Sequence, residues 1–113
     1  MQIDERTIGD VLVLDVNGRI TLGEGDEILK DKVNSLLNQG KKKIVLNLAE
    51  VPYVDSAGLG AMVNAYTTVK NQGGSLKLVG VTKKLSDLLV ITKLATVFDS
   101  YDTEAAALES FGA

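Results

Sequence analysis

The sequence predicts one α/β domain, spanning residues 1–113, with a mixed but mostly parallel sheet of four to six strands and about four helices. Three observations predict it. The chain has 113 residues, 45% of them apolar and 24% charged, which suits a single soluble core. Short apolar runs alternate along the chain with segments of helical periodicity. Gly, Asn-Gly or a capping hydroxyl stands at the junctions, where the chain must turn or a helix must start. Strand and helix alternating in this way favour neighbouring parallel strands.

The first segment is β-like. Val11, Val13 and Asp15 alternate with Leu12, Leu14 and Val16, bounded by Gly9-Asp10 and Asn17-Gly18. Asn-Gly is a favoured tight-turn pair. Residues 2–7 and 10–17 are expected to pair, with Arg19-Ile20-Thr21-Leu22 following the turn and the pair forming an antiparallel edge. Thr21 and Glu24 match a capping box, which places a helix start in the segment Leu22-Gly23-Glu24-Gly25-Asp26. Ile28, Leu29, Val33, Leu36 and Leu37 then recur at helical spacing, and Gly40 stands where that helix ends. Lys41-Lys42-Lys43 reads as a solvated turn into a strand at Ile44–Leu48.

A second helix begins near Ser56, with Leu59, Met62, Val63 and Tyr66 inward and Gly73-Gly74 at its end. Leu76–Val79 is a further strand. Thr82 caps a third helix carrying Leu85, Leu88 and Leu89, and the run Leu88-Leu89-Val90-Ile91 reads as core. Val97-Phe98 marks a last short strand. Asp102 or Thr103 caps a final helix with Ala105, Leu108 and Phe111 inward.

Composition excludes much chemistry. There is no His, no Cys and no Trp. A Ser-His-Asp triad, a thiolate nucleophile, a disulfide and the usual zinc ligand sets are all ruled out. With 12 basic and 15 acidic residues the formal charge is −3, the wrong sign for a nucleic-acid binder. The first residues contain Asp4, Glu5 and Arg6 and do not read as a signal peptide. No apolar run approaches the roughly 20 residues of a membrane span. The expectation is a cytoplasmic protein with no direct membrane insertion. The glycine pairs match neither a dinucleotide fingerprint nor a P-loop.

The informative stretch is Ile44-Val45-Leu46-Asn47-Leu48, the loop Ala49–Val54, and then Asp55-Ser56-Ala57-Gly58-Leu59-Gly60. Capping alone accounts for Asp55 and Ser56 on spacing. Two further features point beyond it. From Ser56 to Val69 there is no charged residue, whereas a solvent-facing helix usually carries Lys or Glu. Small uncharged groups there indicate that something packs on that surface, either the rest of the domain or a partner. Gly58 and Gly60 each cost the helix about 1 kcal/mol relative to Ala, and both permit close approach to its first turn. Ser56 as a nucleophile would need a base: there is no His, and no spacing motif supports a Ser–Lys pair. As a phosphoacceptor it needs only exposure, and a phosphoryl group would add about −1.5 to −2 charges beside Asp55.

On these residues the sequence resembles the STAS domain family, and within it the small bacterial anti-sigma-factor antagonists. The resemblance rests on Val54-Asp55-Ser56-Ala57-Gly58-Leu59-Gly60 after its strand and Val51-Pro52-Tyr53 loop. It continues through Asn17-Gly18-Arg19-Ile20, Gly73-Gly74-Ser75-Leu76 and Leu94-Ala95-Thr96-Val97-Phe98. It implies a STAS-like fold and a protein that is not an enzyme. Its unphosphorylated form would bind an anti-sigma factor with serine kinase activity and so release a sigma factor. Phosphorylation of Ser56 would break that complex, with ATP supplied by the kinase and no cofactor on this chain. A serine phosphatase would reset it. The implied partner-binding residues are Asp55, Ser56, Ala57, Gly58, Gly60, Ala61 and Asn64. The alternative is a STAS module in a stress-signalling scaffold or a soluble subunit of a lipid or anion transport system. Two positions depart from the antagonist pattern: Thr21 and Asn47 stand where acidic residues are common, which implies two missing carboxylates near the phosphoacceptor.

Overall fold

The structure is a computed structural model and describes residues 1–112. Its five strands lie in chain order across one sheet: β1 (Gln2–Ile8), β2 (Val11–Asn17), β3 (Lys43–Glu50), β4 (Ser75–Val79) and β5 (Asp99–Tyr101). β1 is antiparallel to β2, and the remaining pairs are parallel. Ile8 pairs with Val11, so Gly9-Asp10 is the hairpin turn. Gly9 supplies the positive φ, 63°, that a two-residue hairpin asks of its first residue. Asn17-Gly18 closes β2 instead of reversing the chain.

The helices are α1 (Asp26–Asn38), α2 (Ser56–Asn71), α3 (Lys83–Ile91) and α4 (Glu104–Glu109). The strands β2, β3 and β4 are apolar in consecutive positions because both sheet faces are covered. Leu12, Leu14, Val16, Ile44, Leu46, Leu48, Leu76 and Leu78 meet Leu29, Val33, Leu36, Met62, Val69, Leu85 and Leu89 from α1, α2 and α3. On the other face Val11, Val13, Val45 and Val79 meet Ala107, Leu108 and Phe111 around α4. The side chain of Phe98 is buried in the first layer and meets Tyr66 edge-on, with ring centroids 5.4 Å apart.

Several sequence expectations are corrected. α1 does not start from the Thr21–Glu24 box: the Thr21 carbonyl accepts from the Glu24, Gly25 and Asp26 amides, and the helix begins one turn later. The buried Asp26 carboxylate accepts from the Gly23 and Glu27 amides, each at 2.9 Å. Ile28 is exposed, since a start at Asp26 turns Leu29 rather than its neighbour toward the sheet. The last strand is 99–101, because Phe98 is spent on the core. In α4, capped by Thr103, Ala107 is buried and Ala105 is exposed. Val90 and Ile91, at the end of α3, are 62% and 77% exposed and are not core.

Candidate functional site

The site forms where the segment after β2 runs beside the loop after β3. Gly18 N–H donates to the Glu50 carbonyl at 3.2 Å, Ile20 N–H to Tyr53 at 3.1 Å, and Asp55 N–H to Ile20 at 3.3 Å. Ile20 and Val54 make an isolated parallel bridge, and both side chains are buried. These bonds extend the sheet irregularly and set the direction in which α2 leaves it.

Asp55 fixes the start of α2 in two directions. Its Oδ1 accepts from the Gly58 N–H at 2.8 Å, an N-cap bond, and its Oδ2 accepts from the Leu22 N–H at 3.0 Å. The Gly58 amide, and after it the Leu22 amide, hold the Asp55 carboxyl below the usual carboxylate range. It is an anion with both oxygens engaged, and such a group is a weak proton acceptor. No His exists to replace it as base for Ser56. Among the described residues no cluster of three or more acidic side chains is placed to hold a metal ion.

Ser56 is the first helical residue of α2 and is exposed. Gly60 and Asn64 follow it at intervals of four and are exposed too, so the three form one stripe along the helix. Ala57 and Asp55 are partly covered beside it. Gly58 and Ala61 lie inward, which corrects their place among the partner-facing residues. A Cβ at Gly58 would stand 1.7 Å from the Ile20 carbonyl oxygen, so this glycine serves contact within the domain. At Gly60 nothing lies within 4 Å of such a Cβ. Part of the uncharged character of α2 is thereby explained by the domain itself, since Ala61 and Ala65 are buried and α2 packs on α1. The stripe Ser56–Gly60–Asn64 is left without an internal reason.

Two exposed apolar side chains flank the stripe start: Leu22, 76% exposed, and Tyr53, 50% exposed. Between the Val51–Ser56 loop, α2 and α3 runs a cleft of about 330 Å³, lined mainly by apolar groups including Pro52, Leu59, Leu85 and Leu88. The sequence reading missed this cleft. Leu85 and Leu88 carry the right periodicity, but periodicity cannot show that a core-facing row stops short of its neighbour.

Thr21 lies in this site. Its hydroxyl donates to Glu24 at 3.2 Å, and the amide of the next residue, Leu22, donates to Asp55. Asn47 does not lie here. In β3 it alternates with Leu46 and Leu48 and projects to the α4 face, where its amide donates to Asp15 at 3.0 Å. Arg6 pairs with the same carboxylate through two bonds, at 2.6 and 2.9 Å, and also bonds Glu104 of α4. The supposed loss of a carboxylate near Ser56 at position 47 is therefore not a loss at this site.

The chain is similar to known proteins over nearly its whole length. The STAS domain family profile matches residues 2–107. The Thermotoga maritima protein named "Putative anti-sigma factor antagonist" has a crystal structure that superposes with a TM-score of 0.89 at 31% identity, covering 96% of this chain and 92% of that one. The anti-sigma-B factor antagonist of Bacillus subtilis is 40% identical over 72 residues, 64% of this chain and 65% of that one. The Bacillus protein SpoIIAA in its phosphorylated form shares the fold, with a TM-score of 0.75 at 16% identity over 97% of this chain and 99% of that one. With the fold, the Asp55–Gly60 helix start and these likenesses together, the chain belongs to the STAS domain family.

Proposed function

We propose that this protein is an anti-sigma factor antagonist whose unphosphorylated form binds an anti-sigma factor with serine kinase activity. Phosphorylation of Ser56 releases that partner, and a serine phosphatase restores binding. The observation that carries the reading is the stripe Ser56–Gly60–Asn64: an exposed hydroxyl at the head of an exposed, uncharged helical row that nothing in the domain covers. The names of the Thermotoga and Bacillus subtilis relatives support it.

In this reading the protein is a ligand and a substrate, not a catalyst. Leu22 and Tyr53 give the partner two apolar anchors beside the hydroxyl, and Asp55, Ala57, Gly60 and Asn64 form the polar and small-residue part of the surface. Exposed aromatic and aliphatic groups around a small-residue centre suit a tight protein contact. A phosphoryl group on Ser56 places about −1.5 to −2 charges in the middle of that contact, next to the Asp55 anion, and adds a desolvation cost. No helix in the described residues is long and apolar enough to cross a membrane, and the protein is read as acting in the cytoplasm.

The test combines the protein with the anti-sigma kinases of its own host and ATP. Wild type is expected to bind and to be modified at Ser56. Ser56→Ala binds and stays unmodified, and Ser56→Asp binds at least tenfold more weakly. Tight binding by Ser56→Asp, together with no modification of wild type by any of the kinases, refutes the switch.

A further inference from the structure

Ser56 and Lys84 line the same cleft from different helices. Ser56 opens α2, and Lys84 is the second residue of α3, whose first turn is capped by Thr82. Among the described residues lining the cleft, Lys84 is the single cation and Asp55 the single anion. The neighbouring Lys83 pairs with Asp87 along α3 at 3.3 Å and takes no part in the lining. Lys84 thus brings the one positive charge to the cleft that the Ser56 hydroxyl also lines, on a long flexible stem.

Asp55 makes the direction of a phosphoryl group on Ser56 predictable. Both its oxygens already accept backbone N–H bonds, so it offers no proton to share and repels a second anion. A phosphoryl group has three strong acceptor oxygens and a rotatable Cβ–O linkage. The charge that attracts it is on the α3 side, at Lys84.

We infer that Lys84 is the counter-charge of the phosphoryl group on Ser56, and that their pairing closes the mouth of the apolar cleft between α2 and α3. The inference rests on the proposal that Ser56 is the phosphoacceptor. It adds a second effect to phosphorylation. Besides placing charge in the docking surface, the modification removes the slot lined by Leu59, Leu85 and Leu88 from a partner's reach. A single cation then both reads the modification and couples it to the shape of the surface.

The experiment uses the full chain with phosphoserine installed at position 56 during synthesis, so no kinase is involved. The second ionisation of the phosphate is followed by ³¹P NMR as pH is varied, in wild type, Lys84→Gln, Lys84→Arg and Lys83→Gln. Tyr53 and Asp55 are the other titratable groups lining the cleft, and they are the same in all four proteins. Wild type is expected to titrate about 0.5 pH lower than Lys84→Gln, the size produced by one unit charge a few ångströms away in high dielectric. Lys84→Arg retains the difference, and Lys83→Gln behaves as wild type. Methyl signals of Leu85 and Leu88 move on phosphorylation in wild type and stay in place in Lys84→Gln. Coincident titrations of wild type and Lys84→Gln, an equal effect of Lys83→Gln, or methyl signals indifferent to Lys84 overturn the inference. Failure of every kinase to modify Ser56 overturns the switch instead, and leaves the titration to judge the pairing by itself.

Discussion

The two glycines of the α2 start lie two residues apart, yet alanine substitutions at them are predicted to move stability in opposite directions. At Gly58 an added Cβ would stand 1.7 Å from the Ile20 carbonyl oxygen and 2.6 Å from its carbon, whereas ordinary contact begins at 3.4 Å. The obstacle is backbone, not the end of a flexible side chain, so the helix start and the 18–22 segment must separate. Overpacking of this kind costs about 1–3 kcal/mol, and this case sits at the upper end. The gain in helix propensity offsets about 1 kcal/mol of it. A net loss of about 2 kcal/mol remains, or roughly 8 °C in melting temperature for a domain of this size. At Gly60 the same substitution meets open space, so only the propensity term acts and the domain gains up to about 1 kcal/mol. Urea unfolding followed by circular dichroism measures both. Equal signs for the two variants, or a Gly58→Ala protein as stable as wild type, would refute the packing argument. Gly60→Ala carries a second expectation: the more stable variant binds its partner more weakly, because the new methyl lies on the stripe beside Ser56.

Three other outcomes follow from named contacts. Leu22→Ala changes stability by less than about 0.5 kcal/mol, as expected for an exposed side chain, but weakens partner binding at least fivefold by calorimetric titration. Met62→Ala, at a fully buried position, loses about 2–5 kcal/mol in denaturant unfolding. Asp15 has its carboxyl held below the usual range chiefly by its hydrogen bond with Arg6, which outweighs the opposing effect of burial, with a lesser contribution from the bond with Asn47. A carboxyl with a lowered folded-state pKa contributes stability above its unfolded value, near 3.9, and that contribution is lost as pH falls through the folded value. Asp15→Asn is therefore less stable than wild type at pH 7, by about 0.2–1 kcal/mol for so exposed a pair. The gap narrows in melts taken toward pH 2.

The sheet order and the site were legible to different degrees. Alternation located every helix and four of the five strands, because burial on both faces of β3 and β4 and on one face of each helix leaves a periodic trace. The fifth strand was displaced by a few residues, since an apolar pair such as Val97-Phe98 says that burial occurs without saying by which element. Ile28 and Ala105 failed for a related reason: a helix phase is only as good as its start, the turn at Thr21–Gly25 moved the start of α1, and the cap of α4 was left open between Asp102 and Thr103. Asp55 and Ser56 were legible from residue type and position. The inward place of Gly58 was not, because the carbonyl it accommodates belongs to Ile20, 38 positions earlier in the chain. Asn47 misled for the same reason, since proximity in sequence to the motif hid a side chain on the opposite sheet face.

Each strand lies beside its immediate predecessor in the chain, and this has a consequence for synthesis. The sheet grows by accretion at one edge, and no strand waits for a later one to be inserted between it and its neighbour. The hairpin β1–β2 is available first, then β3 with α1 over it, then α2 and β4. All residues of the Ser56 site, from Leu22 to Thr92 at the end of α3, belong to the part assembled before β5 and α4 are made. Domains generally fold as units, so the residues around Ser56 are all made before β5 and α4, and those two elements, at the β4 edge and over the second sheet face, complete the domain around them.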